Sequence, residues 1–183
     1  MGKSRTPAPP DEATLEQAAL KYLERYSSSL AGLRRVLRRR VRRAARAGQG
    51  DVAAGDAMIE TVLGGLVQTG LVDDGKYAEF RAASLSRRGA SLATIRNDLR
   101  ARGVAGPLIE AALAALKHEL GSESNDETDR AAALNLARRR RLGPFRAPTV
   151  RKAYRDRDLA AMGRAGFAYD IARAVIDGEP ENG

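Results

Sequence analysis

The sequence predicts an all-α protein built from three tandem units of three helices, and three observations support this prediction. The 183 residues are 43% hydrophobic but include no Trp, three Phe and five Tyr, so Ala, Leu, Val and Ile must build the core, a composition that favours helices over strands. Apolar residues recur at helical spacing, and no segment alternates as a strand does. Three basic blocks, centred near residues 37, 93 and 147, lie about 55 residues apart, which is close to the length of a three-helix unit.

The first unit is expected at residues 13–70, after a disordered tail at 1–12 that contains three Pro. Its three helices are indicated by apolar stripes that begin at Leu15, Leu30 and Ile59. The second of these helices is long and basic. Between the second and third helices, Gly48-Gln49-Gly50 indicates a loop, and Gly64-Gly65 inside the third helix suggests close packing against a neighbouring helix.

The second unit is expected at residues 71–121. Either Asp73 or Asp74 can cap its first helix, which makes a metal-binding role for this acidic pair the weaker interpretation. Ser91 is the expected cap of a short second helix that ends at Gly103, and Gly106-Pro107 opens the third helix. The polar stretch at 122–127 contains no apolar residue and predicts a linker.

The third unit is expected at residues 128–177, with helices over 128–142, from Pro148 or Thr149 towards Gly166, and over 167–176. A disordered tail is expected at 178–183. Within the second of these helices Asp156 and Asp158 alternate with arginines, which predicts a solvated surface with salt bridges.

The composition excludes most kinds of catalytic site. Without Cys there is no thiol nucleophile or thiolate metal site, and a single His cannot form a two-histidine metal site. That residue, His118, is expected on the outer face of its helix, and no glycine-rich nucleotide-binding motif is present. We therefore expect a non-enzymatic protein without a cofactor or metal. The lack of a long apolar run or signal-like segment predicts a soluble, cytoplasmic protein that does not contact the membrane. We expect this protein to be a monomer.

The remaining candidate for a functional site is the basic surface. Arg supplies 27 of the 32 positive residues. The three basic blocks carry net charges of +9, +5 and +9, and no acidic residue lies between Glu24 and Asp51 to neutralise the first. Arg pairs bidentately with phosphate and carboxylate, so an anionic partner is indicated. A solvated arginine surface produced by coding bias is the alternative interpretation. The candidate binding residues are Arg34, Arg35, Arg38, Arg39, Arg42, Arg87, Arg88, Arg96, Arg100, Arg138, Arg139, Arg140 and Arg141.

The second unit contains the runs LVDDGKYAE at 71–79 and RRGASLATIRNDLRARGV at 87–104, and in these runs the chain resembles the bacterial RecX family. The resemblance extends in outline over residues 15–177. It is carried in the third unit by RRRLGP at 139–144 and MGRAGF at 162–167, whereas the first unit is longer than the family pattern because of its extended basic helix and loop.

The resemblance implies three tandem three-helix repeats that form an elongated, curved rod. It also implies a non-enzymatic regulator of homologous recombination, DNA repair and the SOS response that binds the RecA filament in its helical groove. Such a protein lowers the ATPase and strand-exchange activity of RecA. Arg96 and Arg100 lie inside the matching segment and are the best-anchored contact residues. Single- and double-stranded DNA are further candidate partners, and a general DNA-binding or architectural protein that acts without RecA is the alternative function.

Overall fold

The computed structural model describes residues 10–179, which contain nine α-helices, one short 3₁₀ helix and the segments that connect them. In chain order they are α1 (Glu12–Leu23), α2 (Leu30–Arg46), α3 (Val52–Gln68), α4 (Asp74–Arg87), α5 (Leu92–Ala101), α6 (Gly106–Glu119), α7 (Asn125–Arg140), the 3₁₀ helix (Gly143–Phe145), α8 (Pro148–Arg164) and α9 (Tyr169–Ile176). These residues contain no β-strand, so the all-α prediction is confirmed. None of their helices has the length and apolar character needed to cross a membrane.

Capping side chains explain where two of the predicted boundaries differ from the structure. The predicted tails at 1–12 and 178–183 fall largely outside the described residues, but Asp11 caps α1 through Thr14 N, 2.8 Å from Asp11 Oδ1, so α1 begins at Glu12. Helix α7 begins at Asn125, inside the predicted linker. The reason is a capping box, in which Ser124 and Glu127 each accept a backbone hydrogen bond from the other.

The described residues form two compact units, of which the first contains the chain up to Tyr77 together with Arg102–Val104. Helices α1 and α2 pack against α3. Their core is made by fully buried residues of the predicted stripes, namely Leu15, Ala19, Leu33, Leu37, Val41, Ile59, Leu63 and Leu66.

Glycine has opposite roles at two places in α3. Gly55 lies against Val41 of α2, and a β-carbon at Gly55 would clash with that side chain. Gly64 and Gly65 instead are exposed, with no heavy atom within 4 Å of a β-carbon built on either. The prediction that this pair marks close helix packing is therefore wrong.

The second unit contains Ala78–Ala101 and the chain from Ala105 onward. In it α5 packs on α6, and α9 packs on both α7 and α8. One core cluster is formed by α7, α8, α9 and the residues that connect them, and its fully or nearly fully buried members include Ala133, Ala137, Met162, Phe167, Ala172 and Val175.

A hydrogen-bonded arrangement at the start of α2 recurs at the start of α5. In the first unit Ser29 Oγ donates to the Arg102 carbonyl oxygen at 2.7 Å, and Leu30 N donates to Asp74 Oδ1 at 2.7 Å. Gly103 follows with φ +80°, and a β-carbon there would clash with Ala31. We call Ser29, Leu30, Asp74, Arg102 and Gly103 the first seam.

The second seam, inside the second unit, consists of Ser91, Leu92, Asp129, Ala165 and Gly166. Ser91 Oγ donates to the Ala165 carbonyl oxygen at 3.0 Å, and Leu92 N donates to Asp129 Oδ1 at 2.7 Å. Gly166 again has a positive φ, +87°, and a β-carbon on it would clash with Ser91 Oγ. Equivalent residues of the two seams lie 55 to 63 positions apart, so the repeat seen in the charge pattern is also a repeat of hydrogen bonds.

Candidate filament and nucleic-acid interface

Helix α2 divides its arginines between two faces. Its buried residues Leu33, Leu37, Val41 and Ala44 define the core side, and the residues opposite them on a helix with 3.6 residues per turn face outward. We call Arg35, Arg39, Arg42, Arg43 and Arg46 the outer arginine face; all five are exposed. Its first and last members are 11 residues apart, which is roughly 16 Å along the helix axis.

The arginines beside the core are paired with acids of α3. Arg34 makes a bidentate salt bridge with Glu60, in which both N···O distances are 2.7 Å, and this contact lowers the pKa of Glu60. Arg38 Nε lies 3.1 Å from Asp56 Oδ1. Both candidate arginines therefore help to hold α2 against α3, which reduces their availability for a partner.

The same pairing occurs in the second unit. Arg96 makes a bidentate salt bridge with Glu110 of α6, with distances of 2.8 Å and 3.0 Å, and the pKa of Glu110 is lowered by this hydrogen bonding. Arg34 and Arg96 each lie five residues after the capping serine of a seam. The second candidate of the matching segment, Arg100, is exposed and contacts Asn97 Oδ1 at 3.3 Å.

By contrast, four members of the outer arginine face, Arg39, Arg42, Arg43 and Arg46, have no ion pair or hydrogen bond through their side chains within residues 10–179. Arg35 is engaged elsewhere in the chain. Adjacent like charges on one helix face repel each other, and an anionic partner relieves that repulsion. Among the candidate residues of the first unit, Arg39 and Arg42 are thus the best placed to bind a partner.

Two groups of arginines that are about 50 residues apart in sequence lie together in the second unit. Arg139 Nη1 donates to the Arg88 carbonyl oxygen at 2.9 Å, while the Arg88 side chain bonds back to Ser84. Arg87 and Arg138 to Arg141 are exposed, and the Arg138 guanidinium lies 5.4 Å from the centre of the Phe145 ring. The candidate residues of the second and third basic blocks therefore include one shared surface.

A group of arginines in and beside α8 was not among the predicted binding residues. Arg146 makes a bidentate salt bridge with Asp158, Arg155 pairs with Asp177, and Arg157 lies 5.8 Å from the centre of the Tyr154 ring. The signal that could have found them is the net charge of the third block, which is nine although Arg138 to Arg141 supply only four of its positive charges.

The expectation of a solvated surface at Asp156 and Asp158 is wrong for Asp158. This residue is 1% exposed and accepts three hydrogen bonds, two from Arg146 and one from Gly143 N. Burial alone would raise the pKa of Asp158, but the hydrogen bonds from Arg146 and Gly143 and the positive charges of Arg146 and Arg157 together outweigh it, so the pKa is lowered and the carboxylate stays ionised. Asp156, by contrast, has a 98% exposed side chain.

The acidic and histidine residues considered for a catalytic or metal site have structural roles or are exposed. Asp73 Oδ1 accepts hydrogen bonds from Gly75 N and Lys76 N, so it caps α4 as predicted, and Asp74 belongs to the first seam. His118 is exposed, as expected. Within residues 10–179 no group of three or more His, Asp or Glu side chains is arranged to hold a metal ion.

Known proteins of one family are similar to this chain in sequence. The family model described as RecX, second three-helix domain, matches residues 73–113. The chain is 40% identical over 182 residues to the Regulatory protein RecX of Myxococcus xanthus, which covers 97% of this chain and 94% of that protein. It is 31% identical over 124 residues to the Regulatory protein RecX of Halorhodospira halophila, covering 68% of this chain and 70% of that protein.

A solved structure is also similar. The crystal structure of a regulatory protein RecX superposes with a TM-score of 0.59 at 19% sequence identity, covering 91% of this chain and 72% of that one. At this identity the likeness concerns the fold alone.

Proposed function

The chain belongs to the RecX family, and we therefore propose that it regulates homologous recombination by binding the RecA filament on DNA. The observation that carries the proposal is the 40% identity to a Regulatory protein RecX over nearly the whole of both chains. In this proposal the protein is not an enzyme, acts in the cytoplasm where the filament forms, and modulates RecA mainly by inhibiting its ATPase and strand-exchange activities.

The distribution of unpaired arginines supports a long anionic partner. The unpaired members of the outer arginine face, Arg39 to Arg46, present their positive charges along roughly 10 Å of one helix, and a nucleoprotein filament offers phosphates and acidic side chains repeated along its groove. The shared surface of Arg87, Arg88 and Arg138 to Arg141 gives a second attachment point. Two weak contacts on one chain strengthen each other, because binding at one raises the effective concentration of the other.

The proposal is tested by RecA-dependent ATP hydrolysis on single-stranded DNA with substoichiometric amounts of the protein. We expect inhibition that is weakened in the triple variant Arg39→Gln, Arg42→Gln, Arg46→Gln. The matched control, Arg25→Gln, Arg130→Gln, Arg173→Gln, removes the same charge from exposed positions outside the candidate surfaces and should inhibit as well as the unchanged protein. An ATPase rate that the unchanged protein does not alter would overturn the proposal.

A general DNA-binding protein that acts without RecA is the second candidate function, favoured by the four members of the outer arginine face that have no ion pair within residues 10–179, namely Arg39, Arg42, Arg43 and Arg46. It is distinguished by measuring binding to single- and double-stranded DNA alone over a range of salt concentrations. Strong binding with a steep salt dependence, together with no effect on RecA, would favour this second function. An effect on RecA at a salt concentration that abolishes binding to naked DNA would favour the first.

A further inference from the structure

A groove in the second unit combines several positive charges with one aromatic ring. It has a volume of about 460 Å³ and is lined by Arg140 at the end of α7, by Arg146, and by residues of α8. The α8 residues include Tyr154, Arg157, Asp158 and Arg164. We call this the arginine groove. Four guanidinium groups line it, and Asp158 is the single carboxylate among its lining residues.

That carboxylate is already neutralised. Both Asp158 oxygens are bonded to Arg146, at 3.0 Å and 2.7 Å, and one also accepts the hydrogen bond of Gly143 N at 2.9 Å. Arg146 in turn lies 4.4 Å from the centre of the Tyr154 ring, so the ring is held against a guanidinium. The Arg146, Asp158 and Tyr154 contacts therefore form a fixed wall that contributes little net charge.

Of the other three guanidinium groups, Arg157 interacts electrostatically with Asp158 and lies 5.8 Å from the centre of the Tyr154 ring, whereas Arg140 and Arg164 have no acidic side chain bonded to them within residues 10–179. Arg140, Arg157 and Arg164 are exposed, and their side chains make no ion pair or hydrogen bond within residues 10–179. Charges of one sign around a concave surface strengthen the local field and attract counter-ions. This arrangement costs stability through repulsion, which a bound anion relieves.

We propose that the arginine groove binds a phosphate group, with Arg140, Arg157 and Arg164 as its ligands and Tyr154 as its wall. Phosphate carries up to two charges and several acceptor oxygens on one centre, and the planar guanidinium fork matches it bidentately. A single carboxylate would neutralise only one of the three arginines. Binding here does not depend on RecA, so the proposal stands or falls separately from the proposed function.

Two sources can supply this chemistry, a free nucleotide or the phosphodiester backbone of a strand, and both are tested on the full chain. Isothermal titration calorimetry measures the binding of pyrophosphate, ATP without metal, and an octathymidylate. The arginine side-chain signals in an NMR spectrum locate the bound probe. The variant Arg140→Gln, Arg164→Gln leaves the contacts of Asp158 and Tyr154 unchanged, and Arg25→Gln, Arg173→Gln removes the same charge elsewhere.

We expect saturable binding of at least one probe to the unchanged protein. The groove variant should bind that probe about tenfold more weakly or worse, because two charge-assisted hydrogen-bonding groups are removed. The affinity of the control variant should equal that of the unchanged protein. Binding of pyrophosphate and ATP that octathymidylate does not displace assigns the groove to free nucleotides. Binding of octathymidylate that excludes pyrophosphate assigns it to a strand backbone. Binding of no probe, or equal weakening in both variants, overturns the proposal.

Discussion

Asp158 shows how a single residue can differ from the environment that its neighbours in sequence predict. It lies among arginines, yet on a helix it shares a face with Met162, four residues later, which is 0% exposed. Because a charged residue interrupts the apolar stripe, the buried face of α8 cannot be recognised from apolar periodicity. The cost of burying this carboxylate is offset by its hydrogen bonds to Arg146 and Gly143.

Replacing Asp158 with Asn should lower the free energy of unfolding by about 2–4 kcal/mol, because the partly buried Arg146 loses its counter-charge. Chemical denaturation at pH 7 measures this change. The control is Asp156→Asn, whose side chain is 98% exposed and whose replacement should alter stability by less than about 0.5 kcal/mol. Equal effects of the two substitutions would contradict the burial of Asp158.

The pH dependence of the Asp158→Asn effect follows from the lowered pKa of Asp158. A carboxyl group whose pKa is lower in the folded state than its unfolded value of about 3.9 stabilises the fold above that value. This stabilisation is lost as the pH falls through the folded pKa. Denaturation measured from pH 7 downward should therefore show the unchanged protein and the Asn variant approaching each other in stability below about pH 4. A difference that stays constant at all pH values would contradict this assignment.

Apolar periodicity predicted the helices well, because each buried stripe depends only on the local spacing of apolar residues. The predicted stripe residues Leu92, Ile95 and Leu99 of α5 are at most 5% exposed. Contacts that join distant segments could not be predicted in this way. The partner of Ser91 is the carbonyl of Ala165, 74 residues further on, and no local pattern marks that pair.

Ser91→Ala should lower the free energy of unfolding by about 1 kcal/mol, because the buried serine caps α5 and also bonds to the Ala165 carbonyl. Thermal or chemical denaturation measures the loss. Ser27 is exposed, and Ser27→Ala serves as the control that should change little. A variant at Ser91 that is as stable as the control would show that the second seam contributes nothing.

Helix α3 offers a test of its glycines. Alanine at Gly64 or Gly65 should stabilise the protein by about 0.5–1 kcal/mol each, since both positions are helical, exposed and without a close neighbour. Alanine at Gly55 should destabilise it, because Val41 occupies the space that the new methyl group needs. Melting temperatures that move in the same direction for Gly55→Ala and Gly64→Ala would contradict this description of α3.

Counting charges along the chain located the three basic blocks but could not show which arginines are available to bind a partner. Availability depends on acids of other helices: Glu60 lies 26 residues beyond Arg34, and Glu110 lies 14 residues beyond Arg96. Arg96 and Arg100 were the best-anchored candidates by resemblance, yet the structure pairs Arg96 with Glu110 within the fold. The unpaired arginines of the outer face and of the arginine groove become visible only once the helices are packed.

The outer arginine face and the paired arginines should respond differently to salt. In binding to DNA, the variant Arg39→Gln, Arg42→Gln, Arg46→Gln should lower the slope of log affinity against log salt by up to about 3, because each arginine that binds a phosphate adds about one to that slope. Arg34→Gln should change the slope by less than about 1, since Glu60 already neutralises Arg34. Fluorescence anisotropy with labelled DNA measures both slopes, and equal slopes for the two variants would refute the distinction.

Binding of this chain to the RecA filament is measured by co-sedimentation with RecA filaments assembled on single-stranded DNA. We predict that the protein pellets with the filaments at a fixed, saturable ratio to RecA, at a salt concentration where it does not pellet with the DNA alone. Protein that remains in the supernatant at every filament concentration, or that pellets equally with DNA in the absence of RecA, would contradict the claim.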